Sequence, residues 1–315
     1  MLEEGLKKIS LEDNPTSLYS PVKYILNIGG KRVRPILALM SCSSFNCDPK
    51  AALKAALSVE LFHNFTLIHD DIMDSANSRR GKQTIHQKWG LNSGILSGDV
   101  MLIMAYQLLE NYDLKVYSKL NKLLNKTAKQ VCEGQQMDLD FESQSNTNFE
   151  DYIKMIEFKT AVLLGCSLKM GAIIASASKK DQDFIYQFGI NLGLAFQLQD
   201  DYLDTFGVHN KIGKKIGGDI VENKKTVLYH MSLINSTEKQ KIKILELYSS
   251  STINPEEKIK KVTSLFVKTK GDVSSLKLVD HYTKKAIESI NQLNISENKK
   301  NDFIKFSNDL MKRDL

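Results

Sequence analysis

Two short stretches hold most of the chemistry available to this chain. Asp70, Asp71 and Asp74 in "DDIMD" and Asp200, Asp201 and Asp204 in "DDYLD" repeat one carboxylate pattern, each time at the end of an apolar segment. On a helix, positions four apart share a face, so Asp70 stands one turn from Asp74 and Asp200 one turn from Asp204. Asp71 lies about 100° round the helix, near enough to assist without being equivalent. Stacked carboxylates repel each other unless a cation sits between them. Mg²⁺ fits this arrangement, because it takes one or two carboxylates together with substrate phosphates. One such cluster is compatible with a solvated helix end. Two of them, each closing a buried helix, point to several Mg²⁺ ions bridging a polyphosphate.

The cations answer the acid. "GGKRVRP" (29–35) is a glycine-opened turn carrying Lys31, Arg32 and Arg34, with Pro35 placed to begin a helix, and it can present its charges to a phosphate. Arg79 and Arg80 follow the first aspartate cluster by one short loop. Lys159 and Thr160 sit in "MIEFKTAVLLG", where an apolar helix makes a lysine costly without an anionic partner or a route to water. Lys214, Lys215, Lys224 and Lys225 surround "IGGDIVENKKT" beyond the second cluster. These cations form two sets, enough for two diphosphates.

Long helices must position these groups. The five prolines stand at 15, 21, 35, 49 and 255, leaving about two hundred residues free of a helix breaker. Ser20-Pro21, Asp48-Pro49 and Asn254-Pro255 each pair a capping side chain with a proline suited to a helix start. From 49 to 74 apolar residues recur at three-to-four spacing, through Leu53, Leu57, Leu61, Phe65, Ile68 and Ile72. Polar breaks fall near 75–84, 143–148, 207–218 and 268–273, and no hairpin signal stands out. The expectation is an all-α fold, one helical bundle of ten or more helices spanning 1–315 as a single domain.

Composition agrees with a globular protein: 315 residues, 42% hydrophobic, 25% charged, formal charge +6. That mild charge suits small anionic partners and lacks the basic block of a nucleic-acid arm. The longest uncharged run, 184–199, is interrupted by Gln and Asn and falls short of the roughly 20 residues of a membrane span. Cys42, Cys47, Cys132 and Cys166 form no CxxC pair and no zinc set, so reduced thiols in the cytoplasm are expected, and "MLEEGLKKISLEDN" lacks the apolar run of a secretory signal.

Taken in order, GGKRVRP, DDIMD with its trailing RR, KT, QLQDDYLD and GKKIGGDIVENKKT resemble the trans-isoprenyl diphosphate synthases, the polyprenyl synthetase family. The resemblance covers residues 29 to 226 and includes both aspartate motifs. It implies the isoprenoid synthase fold with a central active-site cavity, a homodimer, and about three Mg²⁺ ions alongside substrate phosphates. Asp70, Asp74 and Asp200 look like the principal metal ligands, with Asp71, Asp201 and Asp204 in support. Arg79, Lys159, Lys214 and Lys224 are implied for the allylic diphosphate, and Lys31, Arg34, His63 and Arg80 for isopentenyl diphosphate. His63 lies two turns before Asp70 on the same face; a satisfied core histidine is its plain alternative. Lys214 and Lys215 are hard to separate, and Lys214 is taken.

The implied reaction ionises an allylic C–O bond, and metal and cations stabilise the departing diphosphate. The alkene of isopentenyl diphosphate attacks the carbocation, and the released diphosphate takes the proton. Lys159, Thr160 and Gln197 are suited to steady the cation through carbonyl, hydroxyl and amide dipoles near a helix kink. Counting back from Asp70, the fourth residue is Thr66, the fifth Phe65 and the eighth Phe62. In the family, aromatics at both the fourth and fifth positions resemble a stop at farnesyl (C15). Small Thr66 therefore favours geranylgeranyl (C20), with Phe62 or Phe65 as the floor. The helix around "GILSGDVMLIMAYQLL" (94–109) suits either a dimer surface or core packing. Three rivals fit less well. A terpene cyclase mixes other residues into its second metal site. An HD-type phosphohydrolase, suggested by His69-Asp70, leaves "DDYLD" unexplained, and a non-catalytic regulatory subunit typically loses an aspartate motif.

Overall fold

Caps and prolines fix several helix starts as expected. The Asp48 side chain accepts from the Lys50 amide at 2.9 Å and opens a 3₁₀ turn, Pro49–Ala52, that leads into the helix Leu53–Met73. Asn254 accepts from the amides of Glu256 and Glu257, and Pro255 opens its helix. Pro21 departs from expectation. The helix Thr16–Asn27 already starts behind Pro15, and Pro21 lies inside it, where the bond to the Ser17 carbonyl is lost. The computed structural model describes residues 1–9, 11–144, 147–207, 217–250 and 252–312. Contacts within it gather into two compact units, neither continuous in sequence.

Unit 1 comprises Met1–Asn125 and Cys166–Ile185. It holds α1 (Leu2–Lys7), α2 (Thr16–Asn27), α3 (Val33–Ser44), α4 (Leu53–Met73), α5 (Ile85–Trp89), α6 (Leu91–Leu109) and the start of α7 (Leu114–Ser143). Helix α4 is its centre, packed on α3 and α6. Leu57, Val59, Leu61, Phe62, Phe65 and Ile68 are all buried, so the helix is apolar nearly all round over its first four turns. Tyr112 pins its start by accepting from the Ala55 amide and donating to the Ala51 carbonyl.

The polar break after α4 contains a ribbon that the sequence reading missed. Strand β1 (Ser78–Arg79) pairs antiparallel with β2 (Lys82–Gln83). The turn between them, Arg80-Gly81, has φ of 52° and 73°. Such a turn usually announces itself by Asn-Gly or Asp-Gly, and here an arginine occupies the left-handed position. Its effect is to hold Arg79 on a strand and Arg80 at the tip.

Unit 2 comprises Lys126–Gly165 and Tyr186–Leu315. It contains the rest of α7, then α8 (Phe149–Ile156), a π-helical bulge (Glu157–Ala161), the first turn of α9 (Val162–Ile174) and most of α10 (Lys179–Phe206). After Gly217 follow α11 (Gly218–Val221), α12 (Val227–Ile234), α13 (Glu238–Ser249), α14 (Pro255–Lys268), α15 (Gly271–Asn291) and α16 (Glu297–Met311). Helix α12 is buried among α13, α14 and α15. Gln199 of α10 donates to the Met311 carbonyl of α16 at 2.7 Å. The boundaries between the units fall inside α7, α9 and α10. Among the described residues no helix is long and apolar enough to cross a membrane.

Candidate active site

In unit 1 the turn before α3 and the last turns of α4 meet the arginine ribbon. Arg32 adopts a left-handed φ of 48° and turns its side chain inward. There it donates to Glu60, to the Leu26 carbonyl at 2.7 Å and to Glu3 at 3.4 Å. Glu60 also accepts from Asn64 at 3.0 Å. Arg80 donates to the Gly29 carbonyl, and its guanidinium crosses Gly30 so closely that a Cβ there would stand 2.6 Å from Nη1. Only glycine leaves that path open, at a φ of 149°. Arg32 was read from sequence as part of a basic turn, but it is an internal tie between that turn and α4.

Arg34 Nη1 and His63 Nε2 stand 3.2 Å apart. Burial, then the charges of Arg34, Arg80, Arg79 and Arg32, hold His63 well below its ordinary range, so its neutral ring accepts from Arg34. Burial also pulls Arg34 down to about 10, opposed by Glu60 and Asp70 and aided by Arg80. Arg34 Nε is buried with no hydrogen-bond partner among the described residues. A buried, unsatisfied guanidinium donor fits an anionic oxygen. Lys31, on the same turn, is exposed.

At the end of α4, Asp70 is half-buried and Asp74, its C-cap, is exposed. Asp71 is buried and takes Arg79, Nε at 2.8 Å and Nη2 at 2.7 Å. Burial pushes Asp71 up despite Arg79 pulling down. His69 turns away from Asp70, its Nε2 lying 3.1 Å from the Ile95 carbonyl and against Gly98 of α6. The rings of Phe62, Phe65 and His69 form a row, 5.5 Å and then 4.9 Å apart. Thr66 is half-buried and donates to the His63 carbonyl at 2.8 Å.

In unit 2 the bulge Glu157–Ala161 widens the helix at Lys159 and Thr160, where the sequence suggested a kink. Gly134 of α7 makes room for it, since a Cβ there would meet the Lys159 amide at 2.3 Å. Lys159 finds the anionic partner its apolar setting demanded, Asp138 of α7. The bulge also starts a hydrogen-bonded chain. Thr160 donates to Gln197 Oε1 at 2.9 Å, Gln197 Nε2 donates to Asp201 at 2.8 Å, and the Tyr152 hydroxyl donates to Asp201 at 2.5 Å. Burial raises Asp201 despite both donors, and burial with the Asp201 charge raises Tyr152.

Asp200 is exposed and Asp204 half-buried, one turn apart on α10. Asp204 also accepts from the Asp219 amide at 3.1 Å, tying α10 to α11. Lys224 pairs with Glu222 at 2.9 Å and Asp219 at 4.0 Å. Burial lowers it, but these two acids and Asp138 outweigh that and raise it. Lys214 and Lys215 lie outside the described residues.

Both acid clusters occupy helix C-termini, where the macrodipole is already negative. Each carboxylate there costs roughly 0.3–1 kcal/mol instead of gaining it. A bound cation offsets that cost, and the all-oxygen donors suit a hard ion. Among the described residues no three acidic, thiol or imidazole groups converge on one point. Sequence reasoning did not single out Glu60, Asn64, Asp138 or Tyr152. Only Asp138 left a signal, an acid in the helix "EGQQMDLD" that could answer Lys159.

Fold and site together define an all-α protein with an aspartate cluster at the C-terminus of each of two long helices and buried or half-buried arginines and lysines in the same units. Residues 15–266 match the polyprenyl synthetase family, and the chain belongs to that family. It is 38% identical over 257 residues to a short chain isoprenyl diphosphate synthase of Methanocaldococcus jannaschii, covering 81% of this chain and 78% of that protein. A crystal structure of a geranylgeranyl pyrophosphate synthase matches with a TM-score of 0.95 and 48% identity, over 99% of this chain and 96% of that one. The geranylgeranyl pyrophosphate synthetase of Pyrococcus horikoshii Ot3 matches with a TM-score of 0.92 and 31% identity, over 99% and 95%. The chain has the isoprenoid synthase fold and is a trans-prenyltransferase. Its family is generally Mg²⁺-dependent and uses isopentenyl and allylic diphosphates.

Proposed function

We propose that this chain builds geranylgeranyl diphosphate (C20) from isopentenyl diphosphate and an allylic diphosphate, as one functional domain spanning 1–315. The observation that carries the reading is the pair of aspartate clusters at the C-termini of α4 and α10, accompanied by a buried arginine donor with no partner among the described residues. Asp70, Asp74, Asp200 and Asp204 would hold Mg²⁺, about three ions once the substrate phosphates complete the shells. Those ions supply Lewis acidity at the leaving diphosphate. Asp71 and Asp201 act from behind, the first holding Arg79 and the second holding Gln197 and Tyr152.

Arg34, Lys31, Arg80 and neutral His63 bind isopentenyl diphosphate, with Arg34 Nε as an unspent donor. Arg79, Lys159, Lys214 and Lys224 bind the allylic diphosphate. Asp138 holds Lys159 in place until substrate arrives. Thr160 donates its hydroxyl hydrogen bond to Gln197, which leaves the hydroxyl oxygen's lone pairs for a developing carbocation. Released diphosphate accepts the final proton.

Thr66 supports the C20 length: it shares the half-buried face of α4 with His63 and Asp70, while Phe62 and Phe65 are buried beside it as the floor. The names of the two geranylgeranyl synthases above agree. A homodimer is proposed across α6, whose inner face is core and whose other face leaves Ile95, Leu96 and Ile103 exposed. Residence in the cytoplasm fits four free cysteines. The test is chelation. Metal-stripped protein should lose elongation of allylic diphosphates and regain it with Mg²⁺. Elongation that persists without divalent ions would overturn the reading.

A further inference from the structure

The C-terminus of α3 brings two thiols together. The amide of Cys47 donates to the Cys42 carbonyl at 3.4 Å, and the amide of Asn46 donates to Ser43 at 3.2 Å, with Asn46 at a φ of 59°. This is a Schellman motif, in which the last-turn residue and the residue two past the cap normally make an apolar side-chain contact. Here those two places are Cys42 and Cys47. Both thiols donate to one acceptor, the Asp48 carbonyl, Cys42 at 3.5 Å and Cys47 at 3.8 Å. None of the proposed catalytic roles uses them.

We propose that Cys42 and Cys47 are a modification site, forming a reversible intramolecular disulfide by exchange with a low-molecular-weight disulfide. The backbone hydrogen bond already holds the two residues at the close approach a disulfide demands. Cys42 is fully buried and Cys47 is partly exposed, which sets the order of events. The Cys47 thiolate attacks the small disulfide, forming a mixed disulfide and releasing one small thiolate. The Cys42 sulfur then attacks the Cys47 sulfur and releases the second. The protein loses two protons and two electrons, and the small disulfide becomes two thiols. Burial and the Cys47 neighbour push the Cys42 thiol up to about 12, so the second step is the slow one.

The test treats the folded full chain with glutathione disulfide, blocks remaining thiols after denaturation, and maps the peptides by mass. Cys132, exposed and distant in sequence, reports that the reagent works. The expected result is a transient glutathione adduct on Cys47, followed by a peptide linking Cys42 to Cys47 that dithiothreitol reverses. Cys42→Ser should trap the adduct on Cys47, and Cys47→Ser should leave Cys42 unmodified. The wild-type time course stands alone if either variant fails to fold. Glutathione on Cys132 with Cys42 and Cys47 still free, or a lasting adduct on Cys47 in the wild type, would overturn the proposal.

Discussion

Glu60 is the most demanding position in unit 1, because a carboxylate with a side chain only 3% exposed faces an arginine side chain only 5% exposed. Replacing Glu60 by Ala removes the carboxylate that accepts from both Arg32 and Asn64 and leaves the buried guanidinium with only the longer contact to exposed Glu3 as counter-charge. Breaking such a pair from one side costs about 3–5 kcal/mol, a large share of the roughly 5–15 kcal/mol by which domains are stable. Glu60→Gln keeps the shape and both acceptor contacts, so its loss should be smaller, about 1–2 kcal/mol. The double variant Arg32→Met with Glu60→Met removes both charges together and should recover at least about 2 kcal/mol of the single-variant loss. Urea unfolding of the four proteins measures this directly. The turn tied by Arg32 also carries Lys31 and leads to Arg34. Glu60→Gln should therefore raise KM for isopentenyl diphosphate more than KM for the allylic partner. A Glu60→Ala protein within about 1 kcal/mol of wild type would refute the argument.

Asp200→Asn should lower the turnover rate on the order of 10²–10³-fold, the cost of losing one electrostatic contact to a leaving group, while the urea midpoint stays put because Asp200 is exposed. An undiminished rate at saturating Mg²⁺ contradicts its assignment as a ligand. Thr66→Phe places an aromatic beside Phe65 on the wall of α4 and should shift the product from C20 to C15; product mass decides. His230 is buried and held down to about 4, chiefly by burial, so between pH 6.5 and 4 the unfolded chain binds more protons than the folded one. Stability should be flat above pH 6.5 for this group and fall below it, by up to about 3 kcal/mol near pH 4. His230→Phe, set among Phe149, Tyr152 and Tyr229, should abolish that part of the acid slope, and an unchanged slope would count against it.

What the sequence made legible was whatever local chemistry decides. Periodicity found the end of α4 to within one residue, where the polar run after Met73 stops it, but took the 3₁₀ turn Pro49–Ala52 behind Asp48 for its first turn. Lys159 in an apolar helix foretold a partner and a distortion, and Asp138 and the bulge are both present. What stayed hidden depends on residues distant in sequence. Nothing local distinguishes Arg32 from Arg34, yet one turns inward to Glu60 and the other meets His63. The Arg80-Gly81 turn was missed because its left-handed arginine is held by the Gly29 carbonyl, some fifty residues earlier in the chain. Pro21 looked like a helix start because proline is tolerated in a first turn, whereas α2 carries it in its second turn, at the expense of the bond to Ser17.

The most direct measurement is the product itself. Purified protein with Mg²⁺ and isopentenyl diphosphate is given dimethylallyl, geranyl or farnesyl diphosphate, and the dephosphorylated alcohols are identified by mass. The account predicts a C20 alcohol as the end product. Absence of elongation with every starter, in folded protein that binds Mg²⁺, would contradict it.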